Sequence, residues 1–281
     1  MPGNKALEIT HVIFDLDGLL IDTESTYTET HTFAMKHYGK KFTLDLKSST
    51  MGMNHEPSVK MLLDKVGLTD KVSVKEYDNL YNPILLKKLP YCQKMPGALR
   101  LVRHFHKHNI PMAICSGSSS YSFKCKTMNH KDLIDLIPLQ VKCSSDPEIK
   151  EGKPSPEAYL VTMQRFRNPP VAPSNVLVFE DAPNGVLAAI RAGMNVVMVP
   201  DLRYVKVPDE GKEQIVEVLK SLEDFRPESV GLPAFDHLRA DQINFVVKYS
   251  LVSFKKIKAQ IPNLFYIFTY KINDFLVAGD D

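Results

Sequence analysis

The feature that most constrains this chain is the run Val12-Ile13-Phe14-Asp15-Leu16-Asp17-Gly18-Leu19-Leu20-Ile21-Asp22-Thr23. It opens as a short apolar stretch rich in β-branched residues, the kind that lies buried in a parallel sheet. It then sets two carboxylates where that strand must stop. Side chains two apart on an extended segment point the same way, so Asp15 and Asp17 are predicted to face the space beyond the strand's carboxyl end. Gly18 lets the chain turn away. Ligands of open α/β sheets bind in that crevice, so two acids there point to a metal ion or an acid/base pair. The plainer alternative is that Asp-Gly marks only a turn.

Residues 24–200 supply the rest of such a sheet. Tyr27, His31, Phe33, Ala34 and Tyr38 recur at helical intervals, predicting a helix over residues 24–38. Residues 40–90 keep helical patterning, as in Ser58-Val59-Lys60-Met61-Leu62-Leu63, and read as an all-helical insert. Prolines at 90 and 96 and Gly97 mark a linker, with Pro96 placed to open the next helix. Helix and strand then alternate. Ala98 to His108 is predicted helical, Ile110 to Cys115 extended, and Ser116-Gly117-Ser118-Ser119-Ser120 a loop at that strand's carboxyl end. Asn175 to Phe179 forms another strand ending in Glu180-Asp181, followed by a turn at Pro183-Asn184-Gly185, a helix from Val186 to Ala192 and a strand from Asn195 to Pro200. This alternation predicts an α/β fold, a doubly wound, parallel, Rossmann-like sheet interrupted near its start by the helical insert.

Charge narrows the partners. A formal net charge of +2 is too near balance to argue for a nucleic-acid polymer or an acidic membrane surface. Cys92, Cys115, Cys125 and Cys143 have no C-x-x-C spacing, so reduced thiols are expected rather than a zinc site or a disulfide framework. The N-terminal residues lack the apolar core of a signal peptide, no stretch is long and apolar enough for a membrane span, and there is no Asn-x-Ser/Thr sequon. A cytoplasmic enzyme, with a monomer favoured, is the expectation.

Three predicted loops meet in one crevice: Asp15/Asp17, Ser116 and Glu180/Asp181. Oxygen ligands without His or Cys suit Mg²⁺, which keeps several waters and works beside phosphate oxygens. Lys153, in Glu151-Gly152-Lys153-Pro154-Ser155-Pro156, lies in a Gly/Pro-rich loop between two of the strands and has the charge to offset a phosphoryl group. Asp15-Leu16-Asp17-Gly18 with Asp22-Thr23, a strand ending at Ser116, Gly152-Lys153-Pro154, and Phe179-Glu180-Asp181-Ala182-Pro183-Asn184-Gly185 together resemble the four motifs of the haloacid dehalogenase superfamily of phosphohydrolases. The resemblance covers roughly residues 8–237. Within that superfamily the chain looks like the pseudouridine-5′-phosphatase-like group, on Phe14 to Leu20, Met95-Pro96-Gly97-Ala98, Asp146-Pro147-Glu148 and the stretch from Val178 to Pro200.

The resemblance implies roles. Asp15 becomes the nucleophile that forms an aspartyl-phosphate, and Asp17 the acid and then the base. Mg²⁺ is expected on the Asp15 carboxylate, the Asp17 main-chain carbonyl and Asp181, with Glu180 beside them. Ser116, Gly117 and Lys153 are expected to bind the phosphoryl oxygens. The implied domains are a phosphatase core over 1–20 and 93–237 and a helical cap over 21–92. The implied reaction is hydrolysis of a small phosphomonoester, a nucleotide such as pseudouridine 5′-phosphate or a sugar phosphate. A phosphomutase of the same superfamily stands second; those resemble this chain but carry a cap histidine twelve positions after the nucleophile, where this chain has Tyr27. A catalytically silent binding protein stands third.

Two segments depart from the family pattern. Gln140-Val141-Lys142-Cys143-Ser144-Ser145 stands where the family has a strand ending in Gly-Asp-Asp, which weakens the expectation of a third strand and of an outer metal contact. Residues 238–281, a divergent tail, match nothing in the family and are expected to be an added packing or partner segment or a product of gene-model or splice error, dispensable for the chemistry. The cap loop around Met51-Gly52-Met53-Asn54-His55 is expected to hold substrate specificity, with His55 a surface residue.

Overall fold

The structure, a computed structural model, describes residues 7–50 and 55–236. The expectations for residues 51–54 and for the tail from 238 on lie outside the described residues. The chain divides into two compact units, Met1–Ala234 and Phe235–Asp281. The described strands and helices belong to the first.

Six strands form one all-parallel sheet: β1 (His11–Phe14), β2 (Met112–Ser116), β3 (Leu139–Lys142), β4 (Val176–Glu180), β5 (Asn195–Met198) and β6 (Ile215–Val218), in the order β3-β2-β1-β4-β5-β6. The first strand in sequence is central, with β2 and β4 on either side, so the carboxyl end of β1 is the point where the winding reverses. Burial decides which residues can build it. Every residue of β1, β2, β4 and β5 is buried.

On one face of the sheet Ile13, Ala113, Val178 and Val196 share a core with Ala158 and Tyr159 of α8 (Glu157–Gln164) and Val186, Ala188 and Ala189 of α9 (Pro183–Arg191). Val12 and Phe14 alternate to the other face. There Phe14 stacks on Phe179 at 5.1 Å, and Phe225 meets Phe179 edge-on at 4.9 Å, each a favourable aromatic geometry. Phe105 of α5 (Ala98–Lys107) completes that group.

The third strand forms despite its polar residues. It is an edge strand, and only Val141 is fully buried, so Gln140 and Lys142 sit where polar side chains cost little. The strand β6, at the opposite edge, adds to the strands expected; its β-branched Ile215, Val216 and Val218 are the signal for it. The helix after the linker starts after Pro96 rather than on it. Gly97 is its N-cap at φ 81°, where a Cβ would lie 2.5 Å from the Glu223 main-chain nitrogen.

Among the described residues four helices lie between β1 and the linker, α1 (Thr23–His37), α2 (Leu44–Thr50), α3 (His55–Lys65) and α4 (Val74–Lys88). They enclose a second core, with Met35, Val59, Leu62, Tyr77 and Tyr81 buried. The termini of this helical region are defined by side chains. Asp22 caps α1 through the Ser25 amide at 3.0 Å, and Ser73 and Glu76 form a reciprocal capping box on α4. Among the described residues no helix is long and apolar enough to cross a membrane. The four cysteines are free thiols.

Candidate active site

Asp15 continues the pairing of β1 past Phe14, its amide donating to the Phe179 carbonyl at 3.0 Å. This places its carboxylate at the carboxyl end of the central strand, buried. Lys153 reaches it from the loop before α8: Nζ donates to Asp15 Oδ1 and to Glu180 Oε1, each at 2.6 Å, and to the Cys115 carbonyl at 3.0 Å. The carboxyl ends of three strands are thereby tied by one ammonium. Burial works against the Lys153 charge, but Asp15 and Glu180 outweigh it and hold the ammonium well above its ordinary range.

Glu180 ends β4 and is almost wholly enclosed. Its Oε1 also accepts from the Tyr159 hydroxyl at 2.7 Å, and its Oε2 accepts from the Asp181 and Ala182 amides at 3.1 and 3.3 Å, at the start of α9. Gly185 makes room for this carboxyl, since a Cβ there would sit 1.7 Å from Oε1.

Asp15, Glu180 and Asp181 each offer an oxygen within 4.8 Å of the others. Burial, then Glu180 and Asp15, push the Asp181 carboxyl well above the usual carboxylate range. Asp15 is pushed up to about 8 by burial, with Glu180 and Asp17 adding to the rise and Lys153 opposing it. One partly buried lysine among three buried carboxyls leaves a deficit of positive charge that a hard cation would fill, and an all-oxygen donor set is what Mg²⁺ takes. Gly18, at φ 79°, keeps the turn beside it open, because a Cβ would lie 2.3 Å from Asp181 Oδ2.

Asp17 has different company. Its Oδ1 accepts from Thr23 Oγ1 at 2.9 Å and pairs with Lys126 Nζ at 2.6 Å. Its Oδ2 accepts from Ser118 Oγ at 3.0 Å and from Ser116 Oγ at 3.3 Å. The Tyr27 hydroxyl stands 3.5 Å from Oδ1. Burial opposes ionisation of Asp17, yet Lys126 and the hydrogen bonds from Thr23 and Ser118 outweigh it and hold the carboxyl below its usual range. The two acids of one motif are therefore held by two different lysines, Lys126 buried and Lys153 partly so.

The candidate site residues lie in this one place: Asp15, Asp17, Ser116, Lys153, Glu180 and Asp181, with Gly117 in the loop after β2. That loop is braced by the divergent segment, where Ser144 Oγ donates to the Gly117 carbonyl at 2.6 Å and the Ser120 amide donates to Ser145 Oγ at 2.9 Å. Asp146 is turned to Arg165, which also reaches Glu148 at 3.0 Å. Residues not singled out are Lys126, Ser118 and Tyr159. For Lys126 a signal exists: on α6 (Ser120–Thr127) it lies three positions after buried Phe123 and one before buried Thr127, so it sits on the inner face of its helix.

The family described as haloacid dehalogenase-like hydrolase matches residues 12–199, which hold all of these positions. The chain belongs to that family. It is 44% identical over 231 residues to "(DL)-glycerol-3-phosphatase 1, mitochondrial" of Arabidopsis thaliana, covering 81% of this chain and 75% of that protein. It is 42% identical over 237 residues to the Drosophila melanogaster protein named "Probable pseudouridine-5'-phosphatase", covering 83% of this chain and 99% of that one. Among solved structures, a haloacid dehalogenase family hydrolase from Deinococcus radiodurans R1 superposes with a TM-score of 0.65 at 21% identity, over 82% of this chain and all of that one, a likeness of fold.

Proposed function

We propose that this chain hydrolyses a small phosphomonoester, of the class that its relatives are named for, such as glycerol phosphate or pseudouridine 5′-phosphate, or a sugar phosphate. The observation that carries the reading is the separation of Asp15 and Asp17, two carboxylates two residues apart with a different lysine each. A carboxylate beside Lys153 is set up to attack phosphorus, and one beside a ring of hydroxyl donors to exchange a proton with the leaving oxygen.

In this reading the ligand-free preference, with the proton on Asp15 and Asp17 ionised, reverses as the phosphate dianion enters: Asp15 displaces the leaving alcohol and becomes an aspartyl-phosphate, while Asp17, now carrying the proton, gives it to the alcohol. Asp17 then takes a proton from the water that releases phosphate and restores Asp15. Lys153, Ser116 and the Leu16 and Gly117 amides hold the phosphoryl oxygens. Asp15, Asp181 and the Asp17 main-chain carbonyl would hold Mg²⁺, with Glu180 beside them; the ion supplies positive charge against the carboxylates and the incoming phosphate. Residues 21–92 act as a cap that excludes water and selects the leaving group. Position 27 argues for hydrolysis over a phosphomutase, since it carries Tyr27 in place of histidine.

The test is phosphate release from glycerol 3-phosphate, pseudouridine 5′-phosphate and a hexose phosphate. Wild type is expected to release phosphate from at least one, to stop with chelator and to resume with Mg²⁺. Asp15→Asn is expected to lower kcat by at least about a thousandfold, as loss of a nucleophile does. Turnover by that variant within about tenfold of wild type would overturn the covalent route. Undiminished turnover in excess chelator would overturn the metal, and an isomerised sugar phosphate in place of free phosphate would establish the mutase.

A further inference from the structure

Lysine is among the side chains least often fully buried, and Lys126 is 4% exposed. Its ammonium lies 2.6 Å from Asp17 Oδ1 and donates to Ser118 Oγ at 2.7 Å, while Ser118 donates onward to Asp17 Oδ2 at 3.0 Å. The three groups close a ring. Nζ also stands 5.5 Å from the centre of the Tyr27 ring, within reach of a cation–π contact, and Tyr27 and Thr23 both address Asp17 Oδ1. Donors from α6, from the loop after β2 and from α1 thus converge on one carboxylate and define its rotamer.

A buried ion pair is weak support for a fold, because apolar residues of similar volume often serve stability as well or better. Its value here lies in placement. Resting on the phosphatase reading above, we propose that Lys126 is a positioning residue for Asp17, holding that carboxylate where it meets the leaving oxygen. Lys153 belongs to the attacking side of the reaction, through Asp15. Lys126 belongs to the departing side, and Ser118 relays its hold to the second carboxylate oxygen.

A residue that works through the proton donor matters in proportion to the leaving group's need for a proton. An alkyl phosphate such as glycerol 3-phosphate must protonate a strongly basic alkoxide. The p-nitrophenolate of p-nitrophenyl phosphate leaves as a stabilised anion. General acid catalysis contributes about 10²–10⁴ in rate, so mispositioning the acid should forfeit a measurable part of that on the alkyl ester alone.

The experiment measures kcat for both esters on the full chain with Mg²⁺, in wild type, Lys126→Met and Ser118→Ala. Lys126→Met keeps the aliphatic stem and removes the charge. It is expected to lower the alkyl rate at least about tenfold more than the aryl rate, and Ser118→Ala to shift the ratio the same way by less. Adding Lys126→Met to Asp17→Asn is expected to leave the ratio of that variant where it was, since the group acted upon is gone. Equal losses on both esters would place Lys126 on the phosphoryl group or in the fold and overturn the proposal, as would no loss on either. Should Lys126→Met fail to fold, as read by circular dichroism, the Ser118→Ala ratio decides by the same criterion. Wild type inactive on every phosphomonoester would overturn the phosphatase reading itself and this assignment with it; an active wild type with an unchanged ratio in the variants would overturn this assignment alone.

Discussion

At the scale of single residues, the unusual property is Asp15, a carboxyl pushed up to about 8 where its ordinary value is 3.8. Burial comes first among the causes, and the neighbouring acids add to it. With the folded pKa above that of the unfolded chain, the folded form holds an extra proton between those values. Its contribution to stability is therefore complete below about pH 4 and is lost as the pH rises through about 8. Asp181 shifts in the same direction. A cation bound to these groups favours their ionised form, so it offsets the stability that the higher pH takes away. The gain in Tm on adding Mg²⁺, measured against chelator, is expected to be larger at about pH 8 than at about pH 5.5, because carboxyls elsewhere cancel in the difference. A gain that is the same at both, or larger at the lower pH, would show that these carboxyls do not take the ion.

At the scale of elements, the start of α9 shows local preference yielding to a site. An alanine inside a helix is roughly 1 kcal/mol better than a glycine when the position is exposed. At Gly185 the added Cβ would lie 1.7 Å from Glu180 Oε1, the oxygen that receives both Lys153 and Tyr159. Gly185→Ala is therefore expected to lower the denaturation midpoint in urea instead of raising it. It should also reduce kcat about a hundredfold, since Lys153 moves with Glu180 and a misplacement of about 1 Å is felt on that scale. A variant more stable than wild type, with unchanged kcat, would remove Glu180 from the support of Lys153. The edge strand β3 makes the converse point, for its polar residues are tolerated where the sheet meets solvent and its main chain still pairs with β2.

At the scale of the whole molecule, the strand order places the loops after β1, β2 and β4 side by side, and each carries part of the site. Lys153, Lys126 and Tyr159 enter from the connecting segments. All of them lie in the unit Met1–Ala234. A domain with its own core folds and acts by itself, so a chain ended at His237 is expected to match the full chain's kcat within about twofold. Loss of phosphate release by a shortened chain that remains folded would make residues 238–281 part of the enzyme.

The sequence by itself determined the acids, the strands that carry them and the family. Asp15, Asp17, Lys153 and Asp181 sit in or beside short apolar or Gly/Pro-rich stretches whose local pattern reports where the chain turns, and spacing along the chain preserves that information. The central strands are legible for the same reason, being apolar at every buried position. The edges are less so: β3 is half-exposed and mixes polar with apolar residues, and β6, though β-branched at three of its four positions, is short and only partly buried. The partners of the acids are not legible. Lys126 is 109 residues from Asp17 in the chain, and Tyr159 is 21 from Glu180, which its hydroxyl reaches at 2.7 Å. Helical spacing puts Lys126 on an inner face, but only the packing of α6 and α8 in the folded chain decides which acid each side chain meets, because a hydrogen bond between distant segments depends on the placement of whole elements.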